Sequence, residues 1–247
     1  MISKSHTKYI QSLQHKKFRD EGGVFIAEGP KVVPELLASG KFVCTAVFAE
    51  QEWLNENAAL VKKYPDTAFE TIAGFELEKI SALTVPNSVL AVFEQCKPNE
   101  DFDVKGKISL ALDTIQDPGN MGTIIRIADW FGINNIICST GCADMYNPKV
   151  VQATMGSLAR VNIIHTNLGE WLQQNPVVKI YGASLKGKNI KTYSAVKEGI
   201  IVIGNEARGI SEEIMELVNE KITIPRLGHA ESLNAAVATG IILSQFT

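Results

Sequence analysis

Short apolar runs alternate along this chain with stretches whose apolar residues recur at helical spacing. Val24–Ala27, Phe42–Phe48 and Val89–Phe93 read as strands, and Lys31–Ala38, Trp53–Lys63 and Phe75–Leu83 as helices. That alternation predicts a small α/β unit over residues 1–97. The stretch Cys96–Lys107, CKPNEDFDVKGK, has Pro98, Gly106 and clustered charge but no period. It reads as a break, with a linker at 98–107 and a second domain at 108–247.

Beyond the break the alternation is more regular. Strands are expected at Ile108–Leu112, Asn135–Ser139, Val161–His165, Val178–Ala183, Gly199–Ile203 and Lys221–Ile224. Helices are expected at Met121–Phe131, Lys149–Ser157 and Leu168–Gln174, from Ser211, and at Ser232–Phe246. Short apolar strands separated by helices predict a mostly parallel sheet covered on both faces. Such sheets bind ligands beyond the carboxyl ends of their strands, so chemistry is sought in the strand-to-helix loops.

Composition narrows the class. With 45% hydrophobic and 21% charged residues among 247, the chain has apolar material for one or two cores. A net charge of −3 excludes a uniformly basic nucleic-acid coat, so any such contact must be local. The four cysteines form no CxxC pair and have no histidine at metal spacing; they read as reduced thiols in a cytoplasm, with no metal. The N-terminus resembles neither a secretory signal nor an anchor, and no apolar run reaches membrane-spanning length.

Three loops stand out. Asp113–Arg126, DTIQDPGNMGTIIR, makes a tight turn at Asp117–Asn120 into a helix, with Asn120 expected as its N-cap. Arg126 follows six residues later as a five-donor fork for a phosphate or carboxylate. In Ile201–Gly209, IVIGNEARG, two glycines around Asn205 and Glu206 suggest a backbone that approaches a ligand closely. In Ile222–Asn234, ITIPRLGHAESLN, the strand halts at Pro225, and Ser232 or Asn234 can cap the last helix. Phosphate-binding GxxxxGK[ST], dinucleotide GxGxxG and hydrolase GxSxG patterns are all missing.

In this order, NxGxxxR, GNEARG and IPRLG…SLN resemble the three motifs of the SpoU/TrmH family of SPOUT RNA methyltransferases, over Ile108–Phe246. The resemblance implies a knotted (trefoil) α/β domain that acts as a homodimer and uses S-adenosylmethionine to methylate a ribose 2′-hydroxyl. It assigns cofactor binding to Ser184, Gly204, Asn205, Glu206, Gly209, Ile224 and Leu233, and catalysis to Asn120, Arg126, Glu206, Ser232 and Asn234. Gln152 and Thr154 depart from the Arg and Ser that relatives often carry. Lys8–Gly40 resembles the small α/β RNA-binding module that precedes many SpoU domains, with Lys16, Lys17 and Arg19 as its basic cluster.

The substrate implied is RNA, ribosomal rather than transfer RNA because a substrate module is present. Two other classes compete: a catalytically silent RNA-binding scaffold and a doubly wound nucleotide or small-molecule enzyme. The intact trio speaks against the first, and the missing glycine fingerprint against the second.

Overall fold

The computed structural model describes residues 2–176 and 178–247. Two compact units emerge from its packing: Met1–Lys97 together with Asp144–Ala159, and Pro98–Ala143 together with Arg160–Thr247.

The first half runs α1 (Lys4–Ser12), α2 (Lys16–Gly22), β1 (Val24–Glu28), α3 (Val32–Ala38), β2 (Cys44–Ala49), α4 (Gln51–Glu56), α5 (Ala58–Val61), β3 (Ala68–Thr71), α6 (Gly74–Ile80) and β4 (Val89–Glu94). The strands form a sheet in the order β1-β4-β2-β3, mixed because β2 pairs β3 in parallel and β4 antiparallel. Ile10, Leu13, Ile26, Phe48, Leu77 and Leu90 fill one core. The helix expected over Trp53–Lys63 is two, because Asn57 leaves helical geometry and turns its side chain back to the Trp53 carbonyl at 2.8 Å. Strand β3 was not expected from sequence; its half-exposed AFET pattern carries little hydrophobic signal.

The second half runs β5 (Ile108–Asp113), α7 (Pro118–Trp130), β6 (Asn135–Ser139), α8 (Pro148–Thr154), β7 (Asn162–Thr166), α9 (Leu168–Gln174), β8 (Ile180–Asn189), β9 (Gly199–Gly204), α10 (Glu212–Leu217), β10 (Glu220–Thr223) and α11 (Ala235–Phe246). Its sheet is parallel throughout, in the order β10-β8-β9-β5-β6-β7. This is the parallel sheet the sequence predicts. Helix α8 belongs by packing to the first unit, where Asp144–Ala159 lies with β1 and α3.

The chain leaves β5 towards β6 and β7 on one side, and returns to build β9, β8 and β10 on the other. Ligands of such sheets sit where the order reverses, at the strand ends. Here those ends are Asp113 of β5 and Gly204 of β9, which lie opposite one another in register.

Strand β8 reaches six residues past its expected end at Ala183 because β10 pairs it in two pieces. Tyr181–Gly182 and Lys188–Asn189 are paired, and Ala183–Gly187 leaves the ladder between them. No described helix is long and apolar enough to cross a membrane.

Candidate active site

Three strand-end loops converge beside Asp113 and Gly204, and the expected motif residues make the joins. Asn120 donates from Nδ2 to Glu206 Oε1 at 2.6 Å. Its Oδ1 accepts from Asn234 Nδ2 at 2.7 Å. One asparagine thus uses both ends of its amide to tie the loop after β5 to the loop after β9 and to the start of α11. A residue with only donors or only acceptors could not make both joins.

A second set of bonds fixes the same loops from beneath. Asn205 Nδ2 donates to the Thr114 carbonyl at 2.9 Å, while its Oδ1 accepts from the amides of Ala207 and Arg208. Its backbone bridges Gly209 in both directions, closing a tight turn. Gly204 must be glycine, since a Cβ there would stand 2.2 Å from Gly209 C and Ile210 N. Asp113, almost fully buried, accepts from the Thr114 hydroxyl at 3.0 Å and the Ser211 amide at 2.7 Å.

Thr114 sits at φ 59, an uncommon conformation for a β-branched residue. It is held there from both sides, its amide donating to Ser139 Oγ at 2.9 Å. Asp113 and Thr114 escaped sequence reasoning. An acid ending a buried strand carries no local signal, and positive φ at threonine runs against propensity.

The helix after the first loop is capped by Asp117, not Asn120. Asp117 accepts from the Asn120 amide at 2.8 Å, and Pro118 occupies the first helical position. The Asp-Pro pair was the available signal. With Asp117 as cap, the Asn120 side chain is free to bridge the motifs. At α11 the cap is Asn234, whose Oδ1 accepts from the Ala236 and Val237 amides; Ser232 lies exposed in the preceding loop.

Arg126 is not part of the converging cluster. It is exposed on α7, on the helix face shared with Thr123 and Trp130 rather than with Asn120. Among the cofactor candidates, Gly204, Asn205, Glu206 and Gly209 form the turn just described. Ile224 is half-buried after β10, Leu233 is exposed one residue before the α11 cap, and Ser184 lies in the unpaired part of β8.

One expected residue is corrected outright. Arg19 is not part of an exposed basic cluster: it is 1% exposed. Its guanidinium donates to the carbonyls of Leu13 and Gln14 at 2.9 and 3.0 Å and to Asp144 at 2.5 Å. Lys16 and Lys17 remain exposed, in i,i+4 pairs with Asp20 and Glu21.

Cys142 also abuts this site. Its thiol, in contact with Cys138 and accepting from the Ile115 amide at 3.3 Å, is lowered to about 7 chiefly by the Cys138 hydrogen bond, against burial. All four cysteines are free, and no group of three or more metal-ligating side chains stands together among the described residues.

A doubly wound domain with a polar relay across three strand-end loops defines an α/β ligand-binding domain. Comparison with known proteins sharpens this. The SpoU rRNA Methylase family model matches residues 107–244, and the MRM3-like substrate binding domain matches 4–91. The chain belongs to the SpoU rRNA methylase family. The 23S rRNA (guanosine(2553)-2′-O)-methyltransferase of Bacillus subtilis is 28% identical over 94% of this chain and 92% of its own. A TrmH-family RNA methyltransferase structure from Porphyromonas gingivalis, described as putative, superposes with TM-score 0.88 at 36% identity, covering 100% of this chain and 98% of that one. The AdoMet-bound rRNA methyltransferase of Sinorhizobium meliloti superposes at 0.87 with 31% identity, covering 99% and 95%.

Proposed function

We propose that this protein transfers a methyl group from S-adenosylmethionine to a ribose 2′-hydroxyl of ribosomal RNA. It is an S-adenosylmethionine-dependent RNA methyltransferase of the SpoU type. The observation that carries the reading is the Asn234–Asn120–Glu206 relay, which joins all three motif loops at the strand ends.

The residues present fit the cofactor. The Gly204–Gly209 turn packs backbone on backbone, and Leu233 stands uncovered close to Asn234. A close-packed glycine turn and an apolar side chain suit the adenosine and methionine parts of one small molecule. Ser184, Gly204, Asn205, Glu206, Gly209, Ile224 and Leu233 would hold it. When bound, S-adenosylmethionine supplies an electrophilic methyl on a sulfonium, so the chain mainly aligns reactants and handles one proton.

Asn120 is assigned to hold the ribose side of the loop in register with the cofactor side. Glu206, already engaged by Asn120, braces that amide. Ser232 and Asn234 orient the ribose. Arg126 keeps its proton in any protein environment, so it clamps the RNA phosphate or the polarised hydroxyl, and a phosphate or water takes the proton. The 2′-hydroxyl that receives the methyl also distinguishes RNA from DNA.

The exposed face of α7 and α11 supports a homodimer. Trp130 is 83% exposed, and Val237 and Ile241 are exposed one turn apart on α11, which packs against α7. An apolar stripe of this kind marks a protein contact. Because Arg126 shares it, we assign Arg126 to the site of the partner subunit. The trefoil knot, the 1–97, 98–107 and 108–247 domain limits and a cytoplasmic location belong to the same proposal. Four free thiols support the location.

Incubation of the protein with radiolabelled cofactor and purified ribosomal RNA, transfer RNA or DNA tests the whole reading. Incorporation at a 2′-O position of ribosomal RNA is expected. Incorporation into transfer RNA alone would move the substrate, and none into any RNA would overturn the activity.

A further inference from the structure

Residues 2–19 hold Lys4, Lys8, Lys16, Lys17 and Arg19 and no acid, in a chain whose net charge is −3. The structure divides these cations. Arg19 is buried and spent on the carbonyls that close the α1–α2 turn and on Asp144. That anchor fixes the start of α2, and the four residues before Arg19 all face solvent: His15, Lys16, Lys17 and Phe18.

Phe18 is the unusual member. It is 42% exposed, although burying such a ring is worth about 1.5–3 kcal/mol. His15 meets it edge-on at 6.4 Å between centroids, and Lys17 Nζ stands 5.9 Å from its ring. The Lys16–Asp20 and Lys17–Glu21 pairs are solvent-exposed and worth little, so both lysines can exchange partners.

We propose that His15–Phe18 is a binding face for an unpaired RNA nucleotide: the Phe18 ring stacks on the base, and Lys16 and Lys17 take the flanking phosphates. Charge selects an anionic chain, and an exposed π-face flanked by cations fits a splayed-out base rather than a duplex, whose bases are already stacked. Arg19 is a positioning residue that holds the face ready and touches no RNA. The proposal rests on RNA being the substrate and adds how the first unit grips it.

The test uses the full chain and a fluorescent single-stranded oligouridylate, followed by anisotropy, with an RNA duplex of equal length alongside. Phe18→Leu keeps an apolar side chain but removes the π-face; it should weaken single-strand binding at least roughly fivefold, while Phe18→Trp should match or exceed the parent. Lys16→Gln with Lys17→Gln should make the dependence on salt shallower, by roughly 0.7 in log–log slope per lost phosphate contact. Cofactor titration on each variant reports folding and should be unchanged. Equal binding by Phe18→Leu and the parent, or a preference for duplex, overturns the proposal. Failure of the parent to bind S-adenosylmethionine would instead overturn the methyltransferase reading, whatever happens at Phe18.

Discussion

Asn234 donates to Asn120 at 2.7 Å across 114 residues of sequence, while its own carbonyl oxygen caps α11. One side chain therefore starts the last helix and closes the site, and the two roles can be separated. Asn234→Asp keeps an acceptor for the cap amides and loses the donor to Asn120. Turnover should fall at least tenfold, the worth of one net hydrogen bond of about 1.4 kcal/mol, while the thermal midpoint stays near that of the parent. Asn234→Ala should lower both, the lost cap costing about 1 kcal/mol. Matching turnover for Asn234→Asp and the parent would remove the relay from the mechanism.

Arg126, proposed to act on the RNA rather than the cofactor, offers a variant that tells chemistry from cofactor binding. Arg126→Ala should lower the methylation rate 10²–10³-fold, roughly 3–4 kcal/mol, with cofactor affinity within a few-fold of the parent. Lysine at 126 should rescue little if a planar fork is needed. A charge at Leu233 should do the opposite, weakening cofactor binding first. Calorimetry beside single-turnover kinetics distinguishes the two, and normal turnover by Arg126→Ala would refute its role.

Light scattering should give about twice the 27.0 kDa chain mass. Val237→Asp with Ile241→Asp should yield monomers that have lost methylation. A monomeric parent protein at tens of micromolar would contradict the dimer.

Cys142 should react before Cys44 and Cys138. Its value near 7 contrasts with Cys44, pushed by burial to about 12, and Cys138, raised by burial too. Iodoacetamide labelling, read by mass spectrometry, should rise through pH 7 at Cys142 while Cys44 and Cys138 stay unmodified. Because Cys142 accepts the Ile115 amide beside the first motif loop, labelling should also weaken cofactor binding.

Glu220 predicts the acid limb of stability. Lys179 above all holds its carboxyl down to about 2, and Lys188 at 3.5 Å adds only a small pull. A carboxylate depressed in the folded state stabilises above its unfolded value and loses that contribution as pH falls towards the folded one. Between pH 4.5 and 2 the parent should therefore lose stability faster than Glu220→Gln. Parallel denaturation midpoints across that window would show the pair to be inert.

The sequence by itself determined the parallel sheet of the second half, because strands buried on both faces need continuous apolar runs such as ISLAL and GIIVI, and those are local. It also marked the three loops, since glycine, proline and asparagine at strand ends are local demands of turns and caps. Which side chains meet was decided only in three dimensions. Asn120 looked like a cap until Asp117 took that place and freed its amide for Glu206 and Asn234. Arg19 looked like a surface cation until Asp144 and two carbonyls drew it inside, because a buried guanidinium must find acceptors and these lie up to 125 residues away. Partners that distant leave no period or spacing in the chain, so burial and the joining of loops belong to the tertiary structure alone.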